Sequence, residues 1–315
     1  MQILHDTHID FLRWRWHAIA TSALVLLVGI GLMIARGGIP MGIDFTGGTI
    51  VVVKFSQPVG AGDVRGALDV IPGEKVVQAY GDPDAHELLI RLPMVGEEQG
   101  TALEAGAQSV IAAIQKANVG QFEVISTEIV GPVIGRDLQL KGIYATLASL
   151  VGILFYIWVR FSLTFAVGAT VATLHDVLIT LAFLSFFNYD LSLNVVAALL
   201  AITGYSVNDT IVIFDRVREN LRSMRRDSLE HVVNLGVNQT LSRTAITSGT
   251  TLVSVVSLFF LGGEVLKGFA FTMIVGILVG TYSSVFIASA LATILGGKPA
   301  AARAQAARAA GRRAS

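Results

Sequence analysis

Six stretches of this chain run apolar almost without interruption, and a long stretch between the first two does not. The apolar runs are about Ala18–Ala35, Leu140–Trp158, Leu163–Phe187, Leu191–Phe214, Arg243–Leu261 and Leu266–Leu295. Each is close to the roughly 20 residues that a helix needs to cross a bilayer. Six transmembrane helices are therefore predicted. The intervening region changes period. Thr49–Phe55, reading TIVVVKF, is β-branched and strand-like. Lys75–Tyr80, Glu87–Leu92 and Phe122–Ile129 read as further strands, with Gly81-Asp82-Pro83-Asp84 as the turn between the middle two. Gly60–Val70 has helical spacing and stops at Pro72-Gly73. Glu97–Ala117 reads as a second helix, with acids in its first turn and Lys116 in its last, as the helix dipole favours. The order β-α-β-β-α-β is the split pattern of a ferredoxin-like α/β domain. The expected organisation is an N-terminal segment at 1–17, helix one at 18–35, the α/β domain at 36–137, helices two to six within 138–297 with a loop near 215–242, and a basic tail at 298–315.

Composition agrees with a membrane protein. Charged residues make up 15% of the chain, against about 25% in soluble domains. There is no cysteine, which excludes disulfides, thiolate metal sites and cysteine nucleophiles. The first apolar run is followed by Arg36-Gly37-Gly38 without a clean small-x-small cleavage site, so it is expected to be a retained anchor. Lys and Arg set the orientation. Arg13 and Arg15 flank Trp14, the link between spans four and five holds Arg216, Arg218, Arg222, Arg225 and Arg226, and the tail holds Lys298, Arg303, Arg308, Arg312 and Arg313. An even number of spans places all three on one side, which the positive-inside rule makes cytoplasmic. The region from Arg36 to Asp137 carries 7 basic and 13 acidic residues and is then exported. The Ala/Arg tail reads as a solvated basic end or as a contact for anionic lipid or ribosomal RNA.

Ionisable residues inside the apolar runs change the picture most. A charge at mid-bilayer costs at least about 2.5 kcal/mol, so such groups are usually paired or face water or protein. Asp209 lies 18 residues after Leu191, roughly 27 Å along a helix axis. Arg243 lies 18 residues before Leu261 on the next, antiparallel span, level with it. The geometry permits a buried pair. Tyr205 and Ser206 share the face of Asp209, and Asn208 and Thr210 adjoin it. Asn238, Gln239, Thr240, Ser242, Thr244, Thr247, Ser248, Thr250 and Thr251 surround Arg243 with polar groups that would wet a pathway or bond across helices. Two readings stand: Asp209 carries a proton and Arg243 resets it, or the pair only pins two helices. His175-Asp176 in the third span is a second candidate, for relay or for a static bond to the fourth helix. The two point about 100° apart, so both cannot face one narrow path. Gly276-x-x-x-Gly280 permits close helix contact in the last span.

The fourth helix is expected to run on through Asp215–Asn220 with i,i+3 and i,i+4 charge pairs and to turn at Asp227-Ser228, a helix cap. Ser228–Leu241 reads as a helix along the membrane surface or as a solvated linker. The α/β domain shows no metal cluster, nucleophile–base pair or phosphate loop, and His86 beside its turn acid reads as solvated. A binding or gripping module is expected rather than an enzyme, with no cofactor or metal. Before it, Asp44, Gly47 and Gly48 read as a tight turn into the first strand, or as a hinge that orients the domain at the membrane.

Four motifs in order resemble the SecF family: GIDFTGG (Gly42–Gly48), LHDVLIT (Leu174–Thr180), GYSVNDTIVIFDRVREN (Gly204–Asn220) and NQTLSRTAITSGTT (Asn238–Thr251). The resemblance spans about residues 10–295 and omits the tail. SecF is the smaller subunit of the SecDF accessory complex of the bacterial Sec translocase, related to resistance–nodulation–division transporters. The resemblance implies a SecD partner of the same plan, a twelve-helix unit docked on the SecYEG channel, YajC as a further partner, and preprotein export driven by the proton-motive force. It places Asp209 and Arg243 on the family's proton-coupling positions, with Asn208, Tyr205, Ser206, Thr244, His175 and Asp176 as supporting polar groups. It implies the bacterial inner membrane, termini in the cytoplasm, contact with membrane lipid, and no specific nucleic acid. A small-molecule or lipid exporter and a passive channel scaffold remain as alternatives.

Overall fold

A computed structural model describes residues 7–72, 75–81, 83–93 and 101–296. The tail at 298–315, the start of the second predicted domain helix at 97–100, and the turn residues Gly73 and Asp82 lie outside the described residues. Helix α1 (Arg15–Ala35) follows a 3-10 turn and is succeeded by the short α2 (Ile43–Thr46). The inserted domain then comprises β1 (Gly48–Phe55), α3 (Ala61–Ala67), β2 (Val76–Tyr80), β3 (Glu87–Pro93), α4 (Thr101–Ala117) and β4 (Phe122–Val130). The remaining helices are α5 (Pro132–Arg160), α6 (Leu163–Phe186), α7 (Leu193–Ser223), α8 (Leu229–Leu261), α9 (Gly263–Ser283) and α10 (Ser289–Leu295). A π turn at Ser284–Ala288 joins the last two into one span. Among the described residues, six helices are long and apolar enough to cross a membrane.

The sheet order is β2-β3-β1-β4 with every pair antiparallel. This is the ferredoxin-like arrangement that the β-α-β-β-α-β order predicts. Alternation along β1 turns Val51, Val53 and Phe55 to one face, where Val64 and Leu68 near α3 and Val110 and Ile114 of α4 cover them. The domain thus closes its own core.

In the helical part, α6, α7 and α9 are the inner elements, while α1, α5 and α8 leave most of their apolar windows uncovered. Small residues bring α7 and α9 together. A Cβ at Gly276 would strike the Ile202 side chain, and one at Gly280 would lie 3.0 Å from Ser206 Cβ. The predicted packing role of these glycines is what the structure shows. The π turn is held by Ser289, whose hydroxyl donates to Ser284 O at 3.0 Å.

Helix α7 continues past its apolar run, as predicted, to Ser223. Arg216 and Glu219 form the i,i+3 pair at 2.7 Å, but Asp215 reaches across to Arg160 at 2.8 Å. Ser228 caps α8, accepting from His231 N at 3.2 Å. The expectation for Ser228–Leu241 needs correction. It is neither a separate surface helix nor a linker; residues 229–241 are the first turns of one unbroken α8. Gly236 lets those turns press on Val217 of α7, since a Cβ there would lie 2.7 Å from Val217 Cγ2.

Candidate functional site

Helix α7 starts with two caps. Ser192 Oγ accepts from Val195 N at 3.3 Å, and Asp44 Oδ2, from α2, accepts from Leu193 N at 2.8 Å. Negative charge at a helix N-terminus is favourable. Gly47 (φ +73°) and Gly48 (φ +135°) then take conformations that glycine alone adopts readily, turning the chain from α2 into β1. The tight turn expected for this motif is present, and Asp44 bonds to the start of α7.

From that start, α7 carries Ser206, Asp209 and Thr210 inward and leaves Asn208 exposed. Asp209 is 3% exposed. Its Oδ2 accepts from Ser248 Oγ of α8 at 3.3 Å, and Ser248 Oγ accepts from Thr281 of α9 at 2.9 Å. Three helices therefore meet at this carboxylate. The direct Asp209–Arg243 pair that equal depth permits is not formed: Arg243 is exposed, and no ion pair joins the two among the described residues. Equal depth fixes level but not azimuth, and α8 turns Ser248 rather than Arg243 toward α7.

A second buried carboxylate sits beside the first. Asp176 of α6 is fully buried, and its Oδ2 accepts from Ser206 Oγ at 2.5 Å and from Ser283 Oγ at 2.7 Å. Its Oδ1 lies 2.9 Å from His175 Nδ1. The buried His175 Nε2 has no partner among the described residues. The expected static bond to the fourth helix is present, through Ser206. The His175 ring folds back onto the adjacent carboxylate, so the two side chains bond to each other. Ser206 consequently serves Asp176 and not Asp209. Ser284 completes the layer: its hydroxyl donates to Ser206 O at 3.2 Å and lies 2.8 Å from Thr210 Oγ1.

Of the other supporting residues, Tyr205 and Thr244 have buried hydroxyls without a partner among the described residues. The polar start of the fifth span does less across helices than expected. Thr247, Thr250, Thr251, Ser254 and Ser257 donate to their own backbone a turn earlier. Asn238 pairs with both backbone groups of Ile9, at 2.9 and 2.8 Å, and Gln239 accepts from Asn220 at 2.9 Å. These amides clamp the N-terminal segment and α7; they do not line a path. Thr281, Ser283 and Ser284 were not singled out in the sequence. Their signal was there, as three hydroxyls within four residues of an otherwise apolar span.

The chain resembles proteins of one kind throughout. A family described as protein export membrane protein SecD/SecF, C-terminal, matches residues 110–298, and the SecD/SecF GG motif matches residues 33–59. A protein translocase subunit SecF of Desulfurispirillum indicum is 44% identical over 289 residues, covering 90% of both chains. The subunit of that name in Escherichia coli O157:H7 is 41% identical, covering 94% of this chain and 91% of its own. The crystal structure of SecDF, a translocon-associated membrane protein from Thermus thermophilus, matches 93% of this chain with a TM-score of 0.82 at 35% identity. This chain spans 39% of that longer one. SecDF in a super-membrane-facing form matches with a TM-score of 0.68 at 34% identity, over 98% of this chain and 40% of its own.

Proposed function

The chain belongs to the SecD/SecF family of protein export membrane proteins, and from that premise we propose that it is the SecF-type accessory subunit of a bacterial Sec translocase, completing preprotein export at the expense of the proton-motive force. Its partners are a SecD-type subunit, the SecYEG channel, YajC and the moving preprotein. It lies in the inner membrane with both termini and the α7–α8 turn in the cytoplasm, and the sheet domain (36–137) outside. It carries out no reaction of its own and needs no cofactor.

The observation that carries this reading is the setting of Asp209. A carboxylate buried at the junction of α7, α8 and α9, held by one long hydrogen bond, can change partners when its charge changes. Ionised, it accepts from Ser248. Protonated, it gains an O–H donor that Ser248 Oγ is placed to accept, while its carbonyl oxygen can still accept. Protonation therefore adds the option of reversing one bond between α7 and α8. That is a local event able to bias two helix arrangements.

The uncovered surface supports a SecD-type partner. Ala197, Ala201, Gly204 and Asn208 form an exposed stripe of small residues along α7, and Arg243, Thr250, Ser254 and Ser257 form an exposed polar one along α8. Small residues at such spacing favour close helix approach in lipid. Covered by a partner, Asn208 and Arg243 would be out of lipid.

The test is Asp209→Asn in the reconstituted complex, with assembly verified. One elementary charge moved through 100 mV supplies about 2.3 kcal/mol, so loss of one carried proton removes up to about fiftyfold of driving force. Export that responds to the proton-motive force as before would leave only the scaffold reading. The exporter alternative expects an apolar cleft in the sheet domain. A hollow there of about 610 Å³ is instead lined largely by polar residues, including Lys54, Ser56, Gln115, Asn118, Gln121 and Glu123.

A further inference from the structure

We infer that the α6–α7 loop and the sheet domain form one closed joint, in which Arg91 and Asp190 are the positioning pair that makes the domain follow the start of α7. Separate domains move relative to each other by default unless their interface prevents it. Here several independent contacts converge on the six residues between α6 and α7.

The first contact is backbone to backbone. Leu191 N donates to Pro40 O at 2.7 Å, and Gly42 N donates to Leu191 O at 2.8 Å, making a parallel bridge between Met41 and Leu191. Gly42 permits it: a Cβ there would lie 3.1 Å from Leu191 O. The second is the cap from Asp44 to Leu193 N at 2.8 Å, placed only four residues ahead of β1. The third comes from inside the domain. Arg91 of β3, paired with Ile50 of β1, reaches Asp190 Oδ2 at 2.9 Å and Met41 O at 3.3 Å. On the other side of the loop, Tyr189 stacks on Phe271 of α9 with ring centroids 4.5 Å apart.

The domain's return to the membrane is as tight. Only Gly131 separates β4 from α5, and Gly135 of α5 packs so closely on α2 that a Cβ would lie 3.0 Å from Phe45 O. β1 and β4 are neighbours in the sheet. The return connection is thus a single residue, while the longer entry from α1 to β1 is pinned to the loop and to α7 through Met41, Gly42 and Asp44. Asp209 lies 16 residues along α7 from Leu193, about 24 Å of continuous helix. A displacement of α7 at Asp209 arrives at Leu193 and passes through the joint to the central strands.

What the joint transmits rests on the proposed proton coupling; its closure does not, and the two are separable by experiment. The chain has no cysteine, so Met41→Cys with Leu191→Cys reports on the joint alone. Bridged neighbours lie about 4.8 Å apart, within reach of a disulfide. In the complete membrane complex, this pair is expected to cross-link rapidly. Arg91→Ala is expected to slow cross-linking and to lower proton-motive-force stimulation of export about fivefold or more. Oxidative locking of the cysteine pair should restore stimulation in the Arg91→Ala background, and reduction should abolish it again. Stimulation stopped by locking in the otherwise unchanged chain would mean that the joint must open, overturning the inference. Cross-linking that is slow at the outset, or unaffected by Arg91→Ala, would overturn it too, whatever export does. A sound joint combined with an Asp209→Asn variant that exports normally would instead remove the proton reading and leave the joint standing.

Discussion

Ser248, not Arg243, is the residue of α8 that touches Asp209: its hydroxyl lies 3.3 Å from the carboxylate, five residues further along the helix. A neutral donor in this place leaves the carboxylate only lightly held. A bidentate guanidinium would fix it far more firmly. The guanidinium of Arg243 instead faces outward, toward the surface proposed for a partner subunit.

Ser248→Ala should therefore cost modest stability but alter coupling. Single hydroxyl bonds between membrane helices average about 0.6 kcal/mol and reach about 1.7. Ser248 makes two such bonds, to Asp209 and from Thr281, so unfolding of the purified chain is expected to shift by about 1–3 kcal/mol, with Ser248→Thr restoring it. A loss several times larger would show that Ser248 supports packing beyond these bonds.

Asp176→Ala should be more damaging. It removes the partner of Ser206 and of His175 and leaves Ser283 only its contact with Gly280 O at 3.2 Å. With about 1–3 kcal/mol for each stranded polar group, a total loss of roughly 2 kcal/mol or more is expected. Asp176→Asn keeps one acceptor oxygen and should lie between. Thermal unfolding in detergent decides the matter, and an alanine variant as stable as the parent would refute the assignment of Asp176 as the hub of α6, α7 and α9.

Gly276→Val should separate α7 from α9. The added side chain collides with Ile202, which is fully buried. Overpacking of this kind costs about 1–3 kcal/mol. Because Ser206 and Ser283 lie on the same two helices, the variant should also weaken the Asp176 bonds, visible as a loss of cross-linking between cysteines placed on α7 and α9.

Asp190 should make folding stability depend on pH. Burial raises the pKa of Asp190 above 3.8, against the opposing charge and hydrogen bond of Arg91. A carboxyl whose folded value is raised favours the folded state when protonated. That contribution is complete below the unfolded value and is lost as pH rises through the folded one. Stability of the folded chain should thus rise through Asp190 as pH is lowered from 7 toward about 4. Asp190→Asn should flatten the dependence, and Arg91→Ala should steepen it. Unfolding of the purified protein across this range provides the measurement.

Hydropathy and β-branched runs made the architecture readable before any coordinates, because burial in lipid and pleating in a sheet each impose a period on the chain. They could not mark where helices end. Hydropathy detects the lipid-facing part of α7 and α8, whereas charge pairs such as Arg216–Glu219 and the Ser228 cap extend those helices beyond it. Asp209, Arg243 and Asp176 were conspicuous as charges among apolar neighbours. Their partners were not, since a serine in an apolar span costs little and stands out little. Arg91 and Asp190 are 99 positions apart, each ordinary in its own surroundings, and only the fold brings them together. Asn238 looked like part of a wet path because its amide was read without knowing that Ile9 lies against it.

The wide turn at Ser284–Ala288 has a consequence for related sequences. Such a turn accommodates one residue more than the regular spiral would hold. Deleting a residue within it would leave Ser283 beside Asp176 and Ala292 beside Gly168. The same deletion one turn away would swing every later side chain by about 100°. Natural length differences in the last span should accordingly gather at these five positions, where evolution can add or drop a residue while the flanking neighbours stay in step.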